Sequence, residues 1–229
     1  MPMNDERRDR PLIIFGVGEL AQLAYFYFTH DSLRQVVAFT VDGAHLQQDQ
    51  CMGLPVLPFE EVHVHYAPQE YDMFVAIGYA RLNQARAEKC LEAKARGYRL
   101  ATYISSRSVT WTDLIIGENC FIMEGNIIQP FVRIGNNVII WCGSLVSHHV
   151  EIDDNCFIGA HAVVSGHVKI GAHSFVGVNA TLRDKITLAE QTLVGAGALI
   201  IASTKENTAH LAAASPEAGV PSQRLQSLL

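Results

Sequence analysis

The sequence predicts two units in series: a small α/β domain over residues 1–105 and a parallel β-helix of about five coils over 106–203, with a tail at 204–229. Three observations carry this reading. An aliphatic residue recurs every six positions from Ile116 to Ile200. A turn motif repeats every eighteen residues through the same region. The first hundred residues instead alternate short apolar runs with helical stretches, and the first run ends in GVGELA.

The α/β unit follows from its elements in order. LIIF (12–15) reads as a buried strand. It enters a GxGxxA turn, Gly16 to Ala21, and then a helix to about Thr29. VVAFTV (36–41) is a second strand ending at Asp42, and YDMFVAIG (71–78) is a third. LNQARAEKCLEAKAR (82–96) has helical composition and stops at Gly97; YRLATYI (98–104) reads as the last strand. Alternating strand and helix implies a parallel sheet. The glycine turn allows a pyrophosphate close to the start of a helix, and Asp42 falls where an acid meets a ribose hydroxyl or a base. Such a turn also serves packing alone. About 105 residues offer too few strands for a full dinucleotide fold, so the unit is sized for one nucleotide.

The second unit rests on periodicity. Stepping by six from Ile116 gives Ile122, Ile128, Ile134, Ile140, Val146, Ile152, Ile158, Val164, Ile170, Val176, Leu182, Leu188, Val194 and Ile200. Four positions after most of these sits a second, usually smaller residue, such as Cys120, Ser144, Cys156, Ala162 and Ser174; Asn126 is the polar exception. Every eighteen residues the turn reads alike: IGEN at 116, IGNN at 134, IDDN at 152, IGAH at 170 and LAEQ at 188. Three hexapeptides therefore close one triangular coil, with Gly and Asn supplying the corner angles of positive φ. Coils stack as parallel strands about 4.8 Å apart. No coil buries its apolar side alone, so stability comes from stacking. A strict period of six without hairpin punctuation excludes an ordinary β-sandwich.

Composition narrows the function. Only 17% of residues are charged, the net charge is −6, and no basic run exceeds two residues, so neither nucleic acid nor an anionic membrane is expected as partner. The apolar run after the charged start is broken by Glu19 and two glycines, which argues against a signal peptide or a membrane span. The five cysteines form no CxxC pair and suit a reducing cytoplasm.

The order GVGELA, VD at 41–42, VAIGYARLNQAR at 75–86, VSGHVKIG at 164–171, VGVNATL at 176–182, VGAGALI at 194–200 and GVPSQR at 219–224 covers nearly the whole chain. It resembles the NeuD-like hexapeptide-repeat sugar acyltransferases, which include N-acetyltransferases of nucleotide-linked 4-amino-4,6-dideoxysugars. The resemblance implies a half-Rossmann domain before a left-handed β-helix, and a cytoplasmic homotrimer using acetyl-CoA or another acyl-CoA without a metal. It places the general base at His148, with His149 beside it, and an acyl-oxygen-binding backbone N–H at Gly166, eighteen residues on. Equivalent positions on adjacent coils would bracket a reacting carbonyl. CoA would follow Gly177 and Val178, then Gly195, Ala196 and Gly197, with Pro221 toward its adenine end. Gly16, Gly18 and Asp42 would hold the nucleotide, with Gly78 beside them. In two places the sequence departs from the family: His149 stands where an acid usually follows the base, and Phe157 stands where relatives carry a second histidine.

Other histidines crowd the same stretch: His161, His167 and His173. Exposed turn histidines are ordinarily solvated, and His161 is the one that trimer packing could bring into a neighbouring site. Three alternatives stay open. The acceptor could be a hydroxyl, as in sialic-acid O-acetylation. A γ-class carbonic anhydrase would need three zinc-binding histidines, two of them on one coil with four residues between them; His161 and His167 have five between them, and the first domain would be unexplained. A non-catalytic nucleotide-sugar sensor would bind the sugar without turnover.

Overall fold

The computed structural model describes residues 10–217 and 219–220. The first domain is a six-stranded sheet. Its strands are β1 (Leu12–Phe15), β2 (Val36–Val41), β3 (Gln50–Cys51), β4 (Leu54–Pro58), β5 (Asp72–Val75) and β6 (Arg99–Leu100). The spatial order is β3-β4-β2-β1-β5-β6, parallel throughout except for the β3–β4 pair. Helix α1 (Glu19–His30) connects β1 to β2, the short α2 (Val62–His65) lies between β4 and β5, and α3 (Gln84–Ala95) connects β5 to β6. The order changes direction at β1, whose neighbours are β2 on one side and β5 on the other. A crevice at the carboxyl ends of these strands is where such sheets bind ligands. Gly16, Asp42 and Gly78 each follow one of these three strands.

The second domain is a triangular prism of two-residue strands, all paired in parallel with the strand eighteen residues away in the repeat region. Three faces result. The base face has seven rungs, from Tyr103–Ile104 to Ala209–His210. The second runs from Ile127–Ile128 to Leu199–Ile200 and the third from Ile115–Ile116 to Thr187–Leu188, five rungs each. The six-residue aliphatic series fills the prism, and every member from Ile122 to Ile200 is buried; Ile116, in the first turn, is partly so. Asn126 is tolerated inside because it is satisfied there: its amide donates to Met123 O (2.8 Å), and its Oδ1 accepts from Ser144 N (2.8 Å).

The segment 98–104 is not one strand. β6 pairs with β5 of the sheet, whereas Tyr103–Ile104 pairs with Phe121–Ile122 of the base face. Ala101 still donates to Met73 O, and Tyr103 already donates to Cys120 O, so the chain changes sheets between them. The Thr102 hydroxyl fixes the crossing by donating to Gly117 O (2.7 Å) and accepting from Cys120 N (3.0 Å).

The base face carries the first domain. Phe121, Ile139 and Phe157 pack into one apolar cluster with Phe28, Phe39 and Phe74. Polar contacts lock the seam. The Asn119 side chain bonds both N–H and C=O of Val75 (2.8 and 3.2 Å). Arg86 of α3 is fully buried and donates to Asn137 Oδ1, Asn137 O, Cys156 O and Gly78 O at 2.7–3.2 Å. Burial lowers its pKa to about 10, which leaves it charged near neutrality. Asp31, capping the end of α1, accepts from Tyr103 (2.5 Å), Ser105 (3.1 Å) and Ser106 N (2.9 Å). Among the described residues no helix is long and apolar enough to cross a membrane.

Candidate active site

Each coil has three corners, and each corner has its own chemistry. Residues 141–144, 159–162, 177–180 and 195–198 form a glycine-rich corner between the base and second faces. Residues 147–150 and 165–168 form a histidine corner between the second and third faces. The remaining corner carries Asn119, Asn137 and Asn155, whose side chains bond in a ladder (2.9 and 2.7 Å).

Backbone angles separate the histidines. His149, His161, His167 and His173 all occupy corner positions with φ between 56° and 59°. Histidine is among the residues that enter this left-handed region most readily, so four of the five have a structural reason to be there. His148 is not among the positive-φ residues. Its exposed imidazole lies against the bare backbone of Gly166 on the next coil. A Cβ on Gly166 would stand 2.7 Å from His148 Cε1 and 3.0 Å from Nε2. Glycine is therefore needed for close approach rather than for an unusual φ. The Gly166 N–H has no acceptor among the described residues, so it can donate to a ligand oxygen.

The partner of His148 is its neighbour. His148 Nδ1 and His149 Nδ1 are 3.2 Å apart. If His148 donates from Nδ1, its Nε2 keeps a free lone pair. No carboxylate bonds His148 among the described residues; its side-chain partner there is His149. His149 is held between Phe131 (4.7 Å) and His167 (4.7 Å, stacked).

The other expected residues fall into two further groups. Gly177 and Val178 lie one coil from Gly195, Ala196 and Gly197, and Gly197 N–H donates to Val178 O (2.8 Å). Both loops are on the glycine-rich corner, as is His161, whose ring covers Gly143. Pro221 lies outside the described residues. At the sheet edge, Gly16 has φ +114°, and a Cβ there would meet Ala76 O at 3.0 Å. Beyond their chain neighbours, no described residue comes within 4 Å of where a Cβ would stand at Gly18 or Gly78. Gly18 is the N-cap residue of α1, with Glu19 in the first turn. Asp42 is already engaged, accepting from Lys89 Nζ (2.7 Å).

Two residues that sequence reasoning passed over join this edge to the prism. Tyr79, next to Gly78, packs on Phe157 and Phe175, each at 5.1 Å. Phe157 is therefore part of the seam on the base face, away from the histidine corner. Trp141 lies beside it (6.3 Å), with a buried Nε1 that has no partner among the described residues. The exact eighteen-residue spacing of Asn119, Asn137 and Asn155 was the available signal for the seam; nothing marked Arg86.

The comparisons with known proteins agree with this architecture. Residues 113–148 match the family model "Bacterial transferase hexapeptide (six repeats)", and 149–166 match "Hexapeptide repeat of succinyl-transferase". No curated protein matches the chain. Among solved structures, PerB from Caulobacter crescentus in complex with CoA and GDP-perosamine aligns with a TM-score of 0.79 at 24% identity, covering 88% of this chain and 94% of that one. The acetyltransferase domain of PglB from Neisseria gonorrhoeae, in complex with acetyl coenzyme A, aligns with a TM-score of 0.79 at 23% identity, covering 89% and 97%. These likenesses establish the two-part fold.

Proposed function

We propose that the chain is an acyl-CoA-dependent acyltransferase that N-acetylates the amino group of a nucleotide-linked amino sugar, such as a 4-amino-4,6-dideoxysugar, in the cytoplasm. The observation that carries the reading is the His148 imidazole lying over the bare backbone of Gly166. The reaction needs a base and an oxyanion donor a few ångströms apart, and this pair supplies both. His148 Nε2 takes a proton from the ammonium or from the amine as it attacks the thioester carbonyl. The Gly166 N–H donates to the carbonyl oxygen as negative charge develops there. Collapse of the tetrahedral intermediate breaks the C–S bond and releases CoA. A thioester is already activated, so positioning and charge stabilisation suffice without a metal.

In this reading Gly16, Gly18, Asp42 and Gly78 hold the nucleotide, and the loops at Gly177–Val178 and Gly195–Gly197 hold the pantetheine arm. Support comes from the fold likeness to structures that contain CoA with GDP-perosamine or acetyl coenzyme A.

The reading also requires a second copy of the chain. The histidine corner joins the second and third faces, whereas the first domain covers the base face. A substrate held at the sheet edge therefore has the prism between it and its own His148. A homotrimer that sets the His148 corner of one chain beside the nucleotide crevice of the next resolves this.

The test is CoA release from acetyl-CoA against a panel of nucleotide-linked amino sugars, with wild type and His148→Ala in parallel. Release that needs both the sugar and His148, with a rate loss of about 10²–10⁴ in the variant, is expected. Sugar binding without release from acetyl or longer acyl donors, to amino or hydroxyl acceptors, would leave only a sensor.

A further inference from the structure

We infer that His148, His149 and His167 form a site for a borderline divalent transition ion such as Zn²⁺, which acts as an inhibitor because it removes the free lone pair of His148. The inhibitory part rests on the proposed function; the ion site does not.

The three side chains come from two consecutive coils and are exposed. One ligand nitrogen from each lies within 4.8 Å of the other two. The 3.2 Å between His148 Nδ1 and His149 Nδ1 is close to the roughly 3.3 Å that separates two nitrogens on a tetrahedral zinc with bonds of about 2.0–2.1 Å. His167 is stacked on His149, with ring planes 15° apart, and needs only side-chain rotation to close the third position. The backbone beneath is fixed by the ladder: His149 N–H donates to Pro130 O and His167 N–H to His148 O. Phe131 backs His149 on its far side. The backbone that carries the three donors is thus set before any ion arrives.

The donors also select the ion. Three neutral imidazoles suit zinc, copper or nickel rather than magnesium or calcium, and they leave the fourth position to water. Coordination through His148 Nδ1 forces the tautomer with hydrogen on Nε2. The nitrogen that faces the acceptor amine then has no lone pair to take a proton.

The experiment titrates chelator-stripped protein with Zn²⁺ by calorimetry, comparing wild type with His149→Asn and His167→Asn. Asparagine tolerates the left-handed backbone at both positions, and melting curves check that the variants fold. One ion per chain, bound at least about tenfold more weakly in each variant, with CoA release falling as the site fills, is the expected result. No uptake, wild-type affinity in either variant, or full turnover by the zinc-loaded protein overturns the inference. One ion per chain with the variant pattern, but no acyl transfer by the stripped protein, upholds the ion site and refutes the acyltransferase reading instead.

Discussion

Replacing Gly166 by alanine separates the position of the His148 ring from its presence. The new Cβ would stand 2.7, 3.0 and 3.3 Å from His148 Cε1, Nε2 and Nδ1. Ordinary contact between such atoms is about 3.5–4.0 Å, so the imidazole must retreat by about 1 Å. It can do so because the ring is exposed, at the expense of its bond to His149. The backbone is also indifferent, since the φ of Gly166 is not in the left-handed region. The fold should therefore hold, with a stability change within about 0.5 kcal/mol and a melting shift within about 2 °C. Catalysis should not hold. A displacement of 1 Å at a reacting group costs about 10²-fold, or about 2.7 kcal/mol of barrier. Continuous detection of the CoA thiol gives kcat/KM, and thermal melting gives the control. Wild-type turnover by Gly166→Ala, alongside an inactive His148→Ala, would refute the claim that the ring acts from over this glycine.

The remaining predictions concern the seam and the assembly. Arg86→Leu leaves the carbonyls of Gly78 and Asn137 without their side-chain donor and removes one of the donors to Asn137 Oδ1 and to Cys156 O; it should cost about 3 kcal/mol or more, seen as a melting point lower by roughly 10 °C, and an unchanged melting point would show that the network is dispensable. Burial opposes the charge of Asp31, but bonds from Ser106, Tyr103 and Ser105 outweigh it and bring its pKa to about 2 from 3.8. A depressed folded pKa stabilises the protein above the unfolded value and is lost as pH falls through the folded one, so about 2 kcal/mol should disappear between pH 4 and 2; an equally steep acid loss in Asp31→Asn would contradict this. Gly16→Val forces a side chain onto φ +114° against Ala76 O and should abolish nucleotide-sugar binding. Mixed with His148→Ala subunits after reversible dissociation, it should regain part of the activity, whereas no regain at all would count against a site shared between chains.

Periodicity made the prism legible. The six-residue series identified the aliphatic stack inside the prism, the residue four places on supplied part of the rest, and the eighteen-residue repeat identified the corners. β1, β2 and α1 were equally plain, because apolar runs and a glycine turn bounded them. The division of 98–104 between two sheets was not legible: its seven residues are all compatible with one strand, and only the hydrogen bonds of Ala101, Thr102 and Tyr103 reveal the change of partner. The β3–β4 hairpin escaped notice because Pro55 and Pro58 read as breaks, although Met52 and Gly53 make its turn with positive φ. The contact of His148 with Gly166 was expected from spacing. That His149 would be the bonding partner, and that Asp42 would be taken by Lys89, depended on side-chain directions that no periodicity encodes. Arg86 sits in an ordinary helical stretch, and its burial follows from the docking of two domains rather than from any local pattern.

The coil works as a measuring tape. His148 meets Gly166 because the chain between them is one circumference long, and no separate device aligns them. A change of six residues inside that interval would turn the following corner to a different side of the prism. Removal of a whole circumference would keep the sides in step but bring Asp184, the next residue in that column, beneath the imidazole in place of glycine. The two ends of the prism are under no such restriction. Coils can be added or lost there, lengthening or shortening the prism, while the distance from histidine to glycine stays set by the girth of the coil.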